Sequence, residues 1–119
     1  MSENELFTVE DGMSLIKFAR DNIENYLTNN KRIVVPTEIK AKFGDKYGAF
    51  VTLNKVDDEG NSDLRGCIGY IEPTYALYDV VHRVSISSAT EDPRFPHVTS
   101  KEMDKMVNQI KSYSTTPYV

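Results

Sequence analysis

Two runs of alternating residues, joined by a short acidic turn, commit the middle of this chain to a β-hairpin. In residues 48–56, Ala49, Val51 and Leu53 share one side, and Phe50, Thr52 and Asn54 share the other. Apolar groups on both sides predict a strand flanked within a sheet rather than left at its edge. Asp57-Asp58-Glu59-Gly60-Asn61 is a turn of acids and turn formers, and residues 63–71 read as the returning strand. The consecutive acids lack the alternating ligands and distal Glu of a calcium loop, so this is read as a solvated turn.

The returning strand carries Leu64-Arg65-Gly66-Cys67-Ile68-Gly69, with the only cysteine of the chain. Strict alternation predicts Arg65 and Cys67 on one face, about 6.6 Å apart along the strand at roughly 3.3 Å per residue. Leu64, Ile68 and Tyr70 would then lie on the opposite, core-facing side. Gly66 and Gly69 are poor strand formers; glycine inside a strand marks a bulge or a close approach of ligand or backbone. Three roles are open to Cys67: a nucleophile, a residue lining a ligand site, or a small core filler. As nucleophile it would have Arg65 nearby to favour the thiolate, His97 or His82 as base, and Asp92 to orient that base. For recognition, Arg65 and Arg94 offer guanidinium forks suited to a planar anion.

Helices frame the hairpin. Residues 9–28 repeat apolar groups at helical spacing (Leu15, Ile16, Ala19, Ile23, Tyr26, Leu27) behind a Thr8-x-x-Asp11 cap. Residues 31–45 form a connector, extended before Pro36 and then one helical turn over residues 37–42. After Pro73, Thr74 is placed to cap a helix with the stripe Leu77, Val80, Val81, Val84 and Ser88. Ser85, Ser87 and Ser88 either let that helix close on a sheet or line a pocket. Glu91-Asp92-Pro93-Arg94-Phe95-Pro96-His97 is a stiff loop dense in chemistry. Structural and functional roles stand equally for Asp92 and Arg94, while Phe95 leans towards plugging the core. Thr99-x-x-Glu102 opens a short helix with Met103 and Met106 turned inward. Residues 107–113 read as a third strand and residues 114–119 as a frayed tail.

The 119 residues suit a single domain, residues 1–119, and the net charge of −4 disfavours nucleic acid. Lys40, Lys42 and Lys46 read as solvated. No apolar run reaches the ~20 residues of a membrane span, and the acidic start is unlike a signal peptide. A lone cysteine forms no internal disulfide, which points to a reducing, cytoplasmic setting. The two histidines are not at metal-ligand spacing with Cys67, so neither metal nor cofactor is expected.

The phrases GAFVTL, LRGCIG and EDPRF, in this order and with these intervals, resemble the AMMECR-one domain family. The resemblance spans most of residues 13–107. It implies an α+β fold, an antiparallel sheet with helices packed on it, and a cleft beside the LRGCIG strand as active or binding site. Carried over by residue, the site comprises Arg65, Gly66, Cys67, Gly69, Asp92 and Arg94, with Leu64, Ile68 and Phe95 in the same phrases. It names no reaction, and leaves open an enzyme, a domain binding a small anionic or carboxylate ligand, and a protein-interaction module. After the short helix the family usually continues with a strand containing a Glu, then Ser-Val-Leu and further chain, where this sequence has Asn108-Gln109-Ile110-Lys111-Ser112-Tyr113 and stops at Val119. The C-terminal part of the family domain is therefore expected to be missing, leaving an open sheet edge available for a homo-oligomer.

Overall fold

A computed structural model describes residues 7–113. Residues 1–6 and the tail expected to fray, 114–119, lie outside the described residues. The elements run α1 (Val9–Asn29), α2 (Thr37–Lys42), β1 (Gly48–Val56), β2 (Ser62–Tyr70), α3 (Leu77–Thr90), a 3-10 helix (Ser100–Lys105) and β3 (Met106–Tyr113). The architecture is α+β: an antiparallel sheet of order β2-β1-β3 with helices packed on one face. The two-sided strand β1 is central, as its composition predicts.

α1 begins at the Thr8 capping box and ends at Asn30, whose left-handed backbone (φ 59°) bonds back to the Tyr26 carbonyl. Its inner stripe buries Leu15, Phe18, Ala19, Asn22 and Ile23. α3 buries Leu77, Val80, Val81 and Val84 against the same sheet face, which presents Ala49, Val51 and Leu53. Each buried Val, Leu, Ile or Phe among them contributes about 1.5–3 kcal/mol of transfer free energy. The buried Asn22 amide bonds the His82 carbonyl, Ser85 Oγ and the Ile33 N–H, tying α1 to α3 and to the connector. No helix of the described residues is long and apolar enough to cross a membrane.

Three expectations are corrected. Thr74 does not cap α3; Ala76 stands at that position, and the first helical N–H groups are satisfied instead by the Asp45 and Phe43 carbonyls. Leu64 is 39% exposed and Tyr70 is also exposed, so of the supposed core trio only Ile68 packs against the core. Phe95 stays half-buried outside the core, its ring beneath the Arg94 guanidinium.

Gly66 and Gly69 are required by different neighbours. A Cβ on Gly66 would overlap the carbonyl oxygen of Ser88, which is main chain and cannot rotate away. A Cβ on Gly69 would strike the Phe50 ring from its Cγ outward, so the whole side chain, though not the main chain, would have to swing aside. Gly66→Ala is therefore expected to cost about 3 kcal/mol in urea denaturation and Gly69→Ala about 1 kcal/mol. Equal costs would contradict this packing.

Candidate functional site

The register of the hairpin breaks at the centre of the LRGCIG motif. Leu53 pairs with Gly66 and Asn54 with Leu64, so Arg65 is an extra residue, a β-bulge in β2. The bulge resets the alternation. Cys67 pairs with Thr52 on the outer face, away from the helices, and Leu64 joins that face opposite Asn54. Arg65 turns to the inner side. Its Nε and Nη2 fork onto Glu102 at 2.9 and 3.0 Å, a carboxylate also reached by Lys55, which alternates onto the inner face with Val51 and Leu53. Arg65 also donates to the Pro96 and His97 carbonyls. The expected common face of guanidinium and thiol is thus corrected: one inserted residue places them on opposite sides.

The Arg65 side chain is only 13% exposed, and its N–H groups are taken up by Glu102 and by the Pro96 and His97 carbonyls. Burial raises the Glu102 carboxyl, but the bonds from Arg65, the Thr99 N–H and Lys55 outweigh it and bring the pKa down to about 2. From α1, Arg20 donates to the Met103 and Met106 carbonyls. The 3-10 helix is held between two arginines.

Asp92, just past the end of α3, is buried. Its carboxylate accepts the Cys67 N–H at 3.0 Å, the Arg94 N–H at 3.0 Å, and a fork from Arg94 Nε and Nη2 at 3.0 and 2.7 Å. The Arg94 bond, chiefly, holds this carboxyl well below the usual carboxylate range, against the opposing effect of burial and helped by the Cys67 N–H. Unlike Arg65, the Arg94 side chain is 56% exposed, and it lies within electrostatic reach of Cys67. The half-buried Cys67 has its Sγ 3.3 Å from Thr52 Oγ1.

The candidate histidines are elsewhere. His82 stacks on Phe18 and bonds the Ile33 carbonyl through Nε2, on the helix side of the sheet. His97 is exposed and meets the motif through its main-chain carbonyl on Arg65. Gly66 lies beneath Ser88 and Gly69 beneath Phe50. Cys67, Asp92 and Arg94 are brought together; Arg65 and His97 are not part of that cluster.

A profile of the AMMECR1 family matches residues 16–117. The chain belongs to the AMMECR1 family. Protein MJ0810 of Methanocaldococcus jannaschii is 43% identical over 105 residues, 88% of this chain and 50% of that protein. Protein PH0010 of Pyrococcus horikoshii is 39% identical over 107 residues, 88% of this chain and 52% of its own. The crystal structure of PH0010, described as an uncharacterized protein, is similar with a TM-score of 0.81 at 37% identity, covering 90% of this chain and 53% of that one. This AMMECR1 chain spans about half the length of the curated relatives it matches.

Sequence reasoning missed Glu102, Thr52 and the bonding role of Ser88. Glu102 is visible in the sequence as a capping residue, but nothing local marks it as the counter-ion of Arg65. Ser88 accepts the Ile68 N–H at 3.0 Å and donates to the Val51 carbonyl at 2.8 Å, so the serine-rich end of α3 serves close packing. Glu102 and Asp92 both titrate below their unfolded values. Their stabilisation is therefore complete above the unfolded carboxyl range and is lost as pH falls from there through the folded values. Urea midpoints are expected to drop from about pH 4.5 towards about pH 2. Glu102→Gln is expected to be less stable at neutral pH and to have a shallower acid limb. An unchanged acid limb in that variant would contradict the assignment.

Proposed function

We propose that this AMMECR1 chain is a ligand-binding domain that takes a small carboxylate, or a comparably small anion, on the outer sheet face beside Cys67. The observation that carries this reading is Arg94, a guanidinium fixed by a buried carboxylate yet more than half open to solvent, within electrostatic reach of a half-buried cysteine. A cation held in place before its ligand arrives loses little freedom on binding. Asp92 takes the Nε/Nη2 edge of the guanidinium, and the remaining Nη1/Nη2 edge presents two N–H groups with the spacing of a carboxylate. Asp92 is the positioning residue, because it orients Arg94 and fixes the Cys67 main chain together. Cys67 and Thr52 line the floor. Arg65, Gly66 and Gly69 contribute through the shape of the strand rather than by touching the ligand. The nucleophile reading of Cys67 has its partial exposure in its favour, but none of its recorded bonds is to a base. The lone thiol fits a reducing, cytoplasmic setting.

A second reading, a protein-interaction module, draws support from Leu64 and Val107, apolar and exposed on the same outer face. The net charge of −4 continues to speak against nucleic acid.

Amide chemical-shift mapping with acetate, citrate and inorganic phosphate tests the reading. Millimolar carboxylate is expected to perturb the amides of Thr52, Cys67, Asp92 and Arg94, and to slow iodoacetamide labelling of Cys67 in the folded chain. Arg94→Gln is expected to abolish both effects. Equal perturbation in Arg94→Gln, or none in the unaltered chain, would overturn the proposal. Labelling that requires denaturant would remove the nucleophile reading as well.

A further inference from the structure

Between α1 and α2 lies a cleft of about 460 Å³, a volume in the range of small-molecule sites. Asp11, Ser14, Phe18 and Asp21 follow at helical spacing along the wall that α1 supplies. Pro36, Glu38, Ile39 and Lys42 form the wall opposite. The floor is apolar and already ordered. Phe18, Ile39 and Phe43 are buried, the Phe18 ring stacks on His82, and the Phe43 ring packs on Phe7. An apolar ligand body would meet packed rings, not side chains that it must first fix in place.

The rim selects the charge of the occupant. It carries three carboxylates, Asp11, Asp21 and Glu38, against two ammonium groups, Lys17 and Lys42. Both ammonium groups are committed. Lys42 crosses from α2 to Asp11 at 3.2 Å, and Lys17 bonds Asp21 at 2.6 Å. The Thr8 N–H, and after it Lys42, holds the Asp11 carboxyl below its ordinary value, and the bond to Asp21 holds the Lys17 ammonium above its own. Glu38, exposed in the first turn of α2, pairs with no cation among the described residues. An entering anion would have to draw a lysine away from its carboxylate, whereas a cation finds Glu38 free.

We propose that the cleft between α1 and α2 binds a small organic ammonium ion, an amine with an aromatic or branched apolar arm, its arm on the Phe18–Phe43 floor and its charge at Glu38. The cleft shares no lining residue with the site proposed at Arg94 and takes a ligand of opposite charge, so either can fail without the other.

Amide chemical-shift titration of the full chain with tryptamine is the test, with indole-3-propionate as the anion of similar shape and tryptophol as the neutral alcohol. Affinities are read from the amides of Ser14, Phe18 and Ile39, so that carboxylate binding at Arg94 does not enter. Tryptamine is expected to shift these amides saturably and to bind more tightly than either comparison compound. Glu38→Gln is expected to weaken tryptamine about threefold to fivefold, as befits one exposed ion pair, and to leave tryptophol unchanged. Ser14 is exposed, so Ser14→Trp fills the cleft from its wall without altering the core, and it is expected to abolish tryptamine binding. Circular dichroism verifies that both variants remain folded. No saturable shift in the unaltered chain, or tryptamine binding no tighter than tryptophol or indole-3-propionate, would overturn the inference. Unchanged tryptamine affinity in Glu38→Gln or in Ser14→Trp would overturn it too.

Discussion

A guanidinium inside a protein carries five N–H groups that must find acceptors, and the acceptors around Arg65 organise much of this fold. The Glu102 fork joins the hairpin to the 3-10 helix, and the Pro96 and His97 carbonyls fasten the end of the preceding loop to the same side chain. Arg20 approaches that helix from α1 and holds the Met103 and Met106 carbonyls. The place where β3 starts, and so its register on β1, is set between two arginines from opposite sides. The β-bulge makes this possible. Without the inserted residue, the Arg65 side chain would point to the open face, and Glu102 would be left with Lys55 and its own Thr99 cap.

The same device gives the two sides of the LRGCIG strand different surroundings. Its helix side is occupied by structure: Gly66 under the Ser88 carbonyl, Ile68 in the core, and the Ile68 N–H on the Ser88 hydroxyl. Its outer edge at Cys67 is closed by the Asp92 carboxylate. On the outer face the thiol meets the Thr52 hydroxyl, and the exposed Arg94 guanidinium lies within electrostatic reach of that thiol. Asp92 couples the two sides, since one buried carboxylate secures the strand main chain and aims the exposed cation.

Much of the fold was legible in the sequence because it follows short-range rules. The hairpin, the capped α1, the stripe of α3, the Thr99–Glu102 box and the central position of β1 all derive from periodicity and turn chemistry. The AMMECR1 membership rested on three phrases in order, and the family profile bears it out. The face of Arg65 was not legible, because alternation assumes an uninterrupted ladder and a bulge depends on pairing across strands. Gly66 was the available signal: glycine in a strand pointed to a bulge or a close approach, and the structure has both at adjacent positions. Asp92 and Arg94 were found through the density of chemistry in their loop. That Arg94, rather than Arg65, is the exposed cation depends on partners far apart in the chain.

The inward fork of Arg65 is the claim on which the division of the strand rests, and a double-mutant cycle measures it directly. Stability is determined for the unaltered chain, Arg65→Met, Glu102→Gln and the double variant. The account predicts a coupling energy of about 2 kcal/mol or more, with the double variant little worse than either single one. Additive losses, with coupling near zero, would mean that Arg65 does not hold Glu102, and the guanidinium would return to the outer face beside the thiol.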